Sequence, residues 1–403
     1  MMAATHFAAV SYPLRLYSGA GALENLPRVL DRARVKRAFV ICGRSVAHKT
    51  DLIHRIKGIA GEALAGVFDE IEKDAPLEGV LAAVRAAREA QADMFIAVGA
   101  GSVIKATRVI AILHAEDKPP EELMTRYPPS GPAISPKLLA PKLPIVNVLT
   151  APTTAQNRAG AAVKQIEVGH RMEFFDPKTR PIAVFWDADA LLTAPASLAL
   201  NTGASVFWRA LMNIGGVAAA NPLVEGERHQ AFRLAQRAIH RMTDAGDAEA
   251  RIEMCAAAFL QNREEDEGRY FGDTHWVSRV TYALAASTIN LCEWIGQGEA
   301  YAILTGAAVR NFGDRDEREI VAMGQAIGMD DLRAGNQSVA QVADAIDALF
   351  VKLGLKVRLR DYGVPPEMLP RIADFSMKNF NADRNRAFLN EAEGLRKTLQ
   401  DAW

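Results

Sequence analysis

The chain is short of cysteine, of long apolar runs and of excess charge, and each shortage excludes something. Its three cysteines, Cys42, Cys255 and Cys292, stand far apart and in odd number, so neither a disulfide framework nor a CxxC metal site can be read from them. They read as buried thiols in a reducing compartment. No stretch of eighteen consecutive apolar residues occurs, which argues against a membrane-spanning helix. The opening MMAATHFAAVSYPLRLYSG lacks a basic segment followed by a long apolar one, so no secretory leader is read there and the expected compartment is the cytoplasm. With 47 basic against 48 acidic residues the formal net charge is −1. That balance leaves no electrostatic footprint for nucleic acid or an anionic membrane, and the expected partner is a small molecule.

What remains is ample material for burial. Apolar residues make up 49% of the 403, more than one ordinary core needs, so two domains are expected. Residues 1–190 alternate short apolar runs with helical patterns. Runs at 37–42 (RAFVIC), 93–98 (DMFIAV), 144–149 (PIVNVL) and 182–186 (IAVFW) read as strands buried on both faces. Separated by helices, they predict an α/β domain with a doubly wound, mostly parallel sheet of the dinucleotide-binding kind. The proline-rich stretch 119–144 reads as a surface connection, either a lid or a plain connector. From 191 to 403 nearly every segment has helical periodicity and no convincing strand appears, which predicts an all-α C-terminal helical-bundle domain.

In a doubly wound sheet the ligand crosses the carboxyl ends of the strands, where helix N-termini present free N–H groups. Gly99, Gly101 and Ser102 stand at such a point. Glycine there lets the backbone approach a pyrophosphate; the alternative is a tight strand-to-helix turn and nothing more. Around it lie SGAGAL at 18–23, APTT at 151–154 and WDADAL at 186–191. In this order and spacing the pieces resemble the iron-containing (group III) alcohol dehydrogenase superfamily, which includes the maleylacetate reductases and is related in fold to glycerol dehydrogenases and dehydroquinate synthases. The resemblance continues through Thr202-Gly203 and Asn221-Pro-Leu223 to Gly298-Glu-Ala300.

The resemblance implies an NAD(P) site formed by Gly43, Arg44, Ser45, Gly99, Gly101, Ser102, Pro152, Thr153, Thr154 and Arg171. Several relatives carry an acidic residue where the first strand ends; here Gly43-Arg44-Ser45 stands instead, and a guanidinium there would suit the 2′-phosphate of NADP or simply be solvated. Arg171 falls where relatives place a lysine near the active site. Ala100 adds a methyl where relatives have glycine, and Lys105 replaces a usual acidic residue, either pairing with phosphates or facing solvent.

The second domain departs from the pattern. Metal-dependent relatives carry an Asp and a His four residues apart after a Thr-Gly pair, on one helix face. Ser205 and Arg209 stand at those positions, and Ile289 and Gln297 at the positions of the two later histidine ligands. A guanidinium cannot ligate a cation, so no bound metal is expected. The histidine that flanks the nicotinamide in relatives maps to Glu293, which reads either as a partly buried acid with a raised pKa or as a surface carboxylate. Arg158, Arg171 and Arg209 could form a basic pocket for a carboxylate or phosphate, with Arg158, Ser205 and Gln297 meeting the substrate. His275, beyond the acidic stretch EEDE at 264–267, reads either as a proton donor facing the cleft or as a loop residue.

These readings converge on a metal-independent NAD(P)H-dependent reductase of a small anionic carbonyl or enone, with Arg209, Glu293 and His275 as candidate catalytic groups. Two alternatives stay open: a lyase or isomerase of dehydroquinate-synthase type with a bound dinucleotide, and a non-catalytic homologue. A homodimer is the expected assembly.

Overall fold

The computed structural model describes residues 6–263, 274–335 and 337–403; the acidic stretch noted at 264–267 lies outside the described residues. Five- and six-residue apolar runs become strands because a parallel sheet covered by helices hides both faces of each strand. In chain order the strands are β1 (Arg15–Gly19), β2 (Ala38–Cys42), β3 (Leu64–Phe68), β4 (Met94–Gly99), β5 (Ile145–Leu149), β6 (Ala161–Val163), β7 (Met172–Phe174) and β8 (Ala183–Asp187). Six form one parallel sheet in the order β1-β8-β5-β4-β2-β3, and β6 and β7 form a separate antiparallel hairpin. The α/β reading therefore holds.

Every residue of β2, β4, β5 and β8 is buried. Side chains alternate between two apolar layers: Val40, Ile96, Val148 and Phe185 pack with Leu26, Leu52 and Ile56, while Phe39, Ile41, Phe95 and Trp186 pack on the opposite face with Val80, Val84 and Ile110. The short hairpin strands β6 and β7 are not expected from the sequence, and the two unexpected strands of the main sheet, β1 and β3, are its edges. Their residues are only partly buried, so no continuous apolar run announces them.

The opening and closing motifs of this region meet in space. β1 lies parallel to β8, and the buried Asp187 carboxylate accepts the Leu23 amide at 3.1 Å and the Ala190 amide at 3.1 Å. Asp187 thus caps the short helix Ala188–Leu192 and fastens the first turn of the chain to the last strand of the sheet. These motifs do structural work.

From Ala196 onward the described elements are helices, the longest being Ala196–Gly215, Pro222–Ile239, Ala248–Gln261, Trp276–Leu291, Gln297–Phe312 and Ser338–Lys352. Asn221 starts the second of these, its side-chain oxygen accepting from Leu223 N at 3.0 Å and Val224 N at 3.1 Å ahead of Pro222 at the first helical position. Helices Ala196–Gly215 and Gln297–Phe312 approach so closely that a Cβ on Gly298 would fall 2.1 Å from the Asn201 carbonyl. Only glycine fits there. Their shared core includes Phe207, Trp208, Leu211, Leu284, Tyr301 and Leu304. No helix among the described residues is long and apolar enough to cross a membrane.

Within the sheet the strand order reverses between β2 and β4, so the carboxyl ends of those strands flank the natural ligand crevice of a doubly wound fold.

Candidate functional site

The crevice opens into a cavity of about 850 Å³ between the sheet and the helices. Its sheet-side wall comes from Ala100, Gly101 and Ser102, which start the helix Gly101–Ala115, and from Pro152, Thr153 and Thr154 after β5. The first-turn amides of a helix have no carbonyl partner within it, and the helix dipole adds positive potential there. The two loops come together so closely that a Cβ on Gly101 would lie 3.1 Å from Thr153 Oγ1. Ser102 Oγ accepts the backbone amide of Asp74 at 3.0 Å, tying in the loop after β3. That loop holds two consecutive non-glycine residues at positive φ, Asp74 and Ala75, a strained backbone of the kind kept where geometry matters. A glycine turn at a helix N-terminus, flanked by threonine hydroxyls, fits a dinucleotide pyrophosphate.

Gly43, Arg44 and Ser45 follow β2 beside this turn but do not line the cavity, and neither does Gly99. Gly43 has no room for a side chain, since a Cβ would lie 2.8 Å from Ile71 O. Arg44 pairs with Glu70 at 3.0 Å in an exposed contact.

The remaining walls carry charge. Seven cationic side chains line the cavity (Lys73, Lys105, Arg108, Arg158, Arg171, Arg180 and Arg209) against three carboxylates (Asp74, Glu173 and Glu299). Gly101, Lys105 and Arg108 share one face of their helix, so the expected Lys105 points into the cavity. Burial pushes its ammonium below the usual lysine range, with Asp74 pulling the other way. Arg108 donates to the Arg158 carbonyl at 2.9 Å, stiffening the loop that presents Arg158. Arg171 sits 3.4 Å from the buried Glu173, which also accepts from Tyr127 Oη and from Phe380 N at 3.1 Å. Arg180 lies 4.0 Å over the Tyr12 ring.

On the helical wall, Ser205 and Arg209 are both buried and both reach the cavity, four residues apart on one face of Ala196–Gly215. Arg209 donates to Asn262 Oδ1 and to Gln261 O, each at 3.3 Å. Asn262 in turn donates to Thr154 O at 2.9 Å and Asn157 Oδ1 at 2.6 Å, so one amide ties Arg209 to the sheet-side loop. Gln297 lines the cavity and donates to Tyr301 Oη at 3.0 Å; Tyr301 stacks on Trp208 with centroids 3.7 Å apart. Ile289 lines the cavity too. The four positions at which the resemblance places metal ligands thus do converge on this cavity, as serine, arginine, isoleucine and glutamine. Among the described residues no group of three or more His, Cys, Asp or Glu side chains could hold a metal ion. The residues present do not fit one.

Two expected catalytic groups are elsewhere. His275 does not face the cavity. It caps the helix Trp276–Leu291, accepting the Ser278 amide at Nδ1 (3.3 Å) while Nε2 meets Met212 O at 3.0 Å. Burial pushes it down to about 4, which keeps the ring neutral and both nitrogens committed. Glu293 lies past the end of that helix with its side chain 70% exposed, paired with Lys164. The hydrogen bond and charge of Lys164 hold its carboxyl below the usual range, the opposite of a raised acid. Lys73 reaches the same loop, donating to Ile295 O at 2.9 Å and to Glu293 O.

Sequence reasoning missed Lys73, Asp74, Arg108, Arg180, Tyr282 and Tyr301. A signal existed for Tyr282: residues 282, 286 and 289 are spaced as one helical face, and all three line the cavity.

A parallel sheet facing a helical region across such a cavity is an arrangement suited to an enzyme that holds a dinucleotide on its sheet-side wall. The family model for iron-containing alcohol dehydrogenase matches residues 13–188, and that for the C-terminal region of the Fe-containing alcohol dehydrogenase family matches 215–403. The chain belongs to the iron-containing alcohol dehydrogenase family and is an NAD(P)-dependent oxidoreductase of the alcohol dehydrogenase kind. Maleylacetate reductase 2 of Cupriavidus pinatubonensis is 36% identical over 108 residues, 27% of this chain and 29% of that protein, so that likeness is local. 4-Hydroxybutyrate dehydrogenase of Cupriavidus necator is 25% identical over 369 residues, 90% of this chain and 91% of the relative. NADH-dependent butanol dehydrogenase A of Thermotoga maritima superposes with a TM-score of 0.85 at 17% identity, covering both chains in full, a likeness of fold alone.

Proposed function

We propose that the protein is an NAD(P)H-dependent reductase of small anionic carbonyl or enone compounds that works without a catalytic metal. The observation that carries this reading is the buried guanidinium of Arg209, facing the cavity from a position where the family pattern has a metal ligand. A fixed positive charge in a water-poor site polarises a carbonyl and stabilises the developing oxyanion, the service a Lewis acid gives in metal-dependent chemistry. The excess of cationic over acidic side chains in the cavity favours an anionic substrate, with Arg158 and Arg171 as its carboxylate or phosphate partners. The names of two relatives, a maleylacetate reductase and a 4-hydroxybutyrate dehydrogenase, accord with an anionic substrate.

When bound, the reduced nicotinamide supplies the hydride. Gly101, Ser102, Thr153 and Thr154 hold the dinucleotide, Ser205 and Gln297 orient the substrate beside Arg209, and the apolar faces of Trp208 and Ile289 keep water out. Arg44 favours NADP modestly, because its exposed pairing with Glu70 is worth little and leaves the guanidinium available to a 2′-phosphate. The enzyme is a cytoplasmic homodimer in this reading, which light scattering can check.

Calorimetry of chelator-treated protein with NADPH and NADH tests the proposal, followed by a screen of small keto acids, aldehydic acids and enone acids with the tighter dinucleotide. Micromolar binding and turnover of an anionic carbonyl are expected. Failure to bind either dinucleotide would sink the reading.

A further inference from the structure

We propose that Tyr282 is the group that delivers a proton to the substrate oxygen, with Arg171 and Arg158 stabilising the phenolate it leaves; this rests on the reductase reading above. The cavity holds few groups able to do this. His275 is spent on capping a helix and Glu293 lies outside the cavity. Glu173 is engaged by Tyr127, Arg171 and the Phe380 amide. Tyr12 is exposed, beneath Arg180. Tyr301 is buried against Trp208, and burial pushes its phenol up, away from neutral pH.

Tyr282 differs in its partners. It lines the cavity from the middle of the helix Trp276–Leu291, on the same face as Ala286 and Ile289. Asn381 donates to its hydroxyl at 3.2 Å, and the Arg171 guanidinium hydrogen-bonds to it with Cζ 6.0 Å from the ring centroid. Three cations act on it, Arg171 on the β6–β7 hairpin side, Arg158 on the loop after β5, and Lys105 on the helix that begins at the glycine turn, while the nearby Glu173 carboxylate pairs with Arg171 at 3.4 Å. Burial by itself would push the phenol up, but Arg171 and Arg158, with the hydrogen bonds from Asn381 and Arg171, outweigh it and bring it below the ordinary tyrosine value. A proton donor whose acidity is moved toward the working pH is the more effective one.

The step balances. The substrate carbon accepts a hydride, with its electron pair, from the reduced nicotinamide; the carbonyl π pair moves to oxygen, which takes the Tyr282 proton. C=O becomes CH–OH, the dinucleotide is oxidised, and the phenolate regains its proton from water. Arg171 and Arg158 meet negative charge twice, on the substrate and then on the phenolate.

The test is Tyr282→Phe, which removes one oxygen and keeps the ring, with Asn381→Ala as a milder companion. Y282F is expected to lower kcat by about 10²- to 10⁴-fold, with dinucleotide affinity unchanged and the alkaline limb of kcat/KM for carbonyl reduction abolished. N381A, which loses only a hydrogen bond to the hydroxyl, moves that limb to higher pH. Ultraviolet difference titration of wild type against Y282F reads the same phenol without turnover, and one tyrosinate is expected to form at lower pH than the rest. Should the wild type reduce no carbonyl, the reductase reading fails, while the titration still judges Tyr282. Y282F turnover near the wild-type rate, an alkaline limb that survives in it, or a difference spectrum that titrates with ordinary tyrosines would overturn the proposal.

Discussion

The two walls of the cavity meet a ligand with different chemistry. The sheet-side wall offers backbone amides at a helix start, two threonine hydroxyls and a glycine closely packed on one of them, a surface suited to a phosphate whatever the rest of the ligand is. The helical wall offers Ser205, Arg209, Gln297, Tyr282 and Tyr301, side chains that select by charge and hydrogen bonding. On the first wall stand motifs that carry the family resemblance, such as Gly101-Ser102 and Pro152-Thr-Thr154; on the second, the positions at which that resemblance places metal ligands are serine, arginine, isoleucine and glutamine. In the proposed reading the fold keeps its cofactor grip while its reacting side is replaced, which is possible because the two surfaces sit on different elements joined by a few polar ties such as Asn262. Function resides in the site more than in the fold.

Substitutions on each wall separate their roles. The largest effect is expected on the helical wall, where Arg209→Met lowers kcat for carbonyl reduction by about 10²- to 10³-fold, the cost of losing one oxyanion donor, and leaves NADPH affinity unchanged by calorimetry. A parallel loss of NADPH affinity would erase the distinction between the walls.

Next in size is a pH effect outside the cavity. His275 titrates at about 4 in the folded chain against 6.5 ordinarily, because burial disfavours its charged form. Between those values the unfolded chain binds a proton that the folded one refuses. Stability present above pH 6.5 is therefore lost as pH falls, by about 3 kcal/mol once pH 4 is reached. Urea unfolding at stepped pH should show this slope in the wild type and a shallower one in His275→Asn; equal slopes would assign the loss to other groups.

On the sheet-side wall, Gly101→Asp sets a carboxylate at the proposed pyrophosphate site and a Cβ 3.1 Å from Thr153 Oγ1. NADPH binding should weaken by about 1–2 kcal/mol, while the far-ultraviolet spectrum is unchanged. The smallest effect is expected at Glu293→Gln, which removes one exposed ion pair with Lys164 and should shift stability by about 0.5 kcal/mol or less with turnover retained. A large loss of turnover there would return Glu293 to the acid role that is one of its two readings from the sequence.

Much of the architecture was legible in the sequence for a physical reason. β2, β4, β5 and β8 are covered on both faces, so they are written as unbroken apolar runs. β1 and β3 escaped because an edge strand is half wet and its sequence carries no such run. The glycine turn was legible because its chemistry is local, three residues between a strand and a helix. The basic pocket was partly legible: Arg158, Arg171 and Arg209 come from three distant segments and do share the cavity. His275 and Glu293 were misplaced because residue type says nothing of direction; one is turned inward to cap its own helix, the other outward to a lysine. Tyr282 was hidden by a choice of register. The ligand helix was read from Ser287 onward, whereas the face that meets the cavity begins a turn and a half earlier, and its phenol matters only beside cations brought in from β-sheet loops.

The central claim is that guanidinium charge stands in for a metal, and turnover of an anionic carbonyl by chelator-treated protein, with metal counted on the same sample, tests it most directly. The account predicts full NADPH-dependent turnover with substoichiometric metal, unaltered by added ferrous or zinc ion. Turnover that vanishes on stripping and returns with either ion would contradict it.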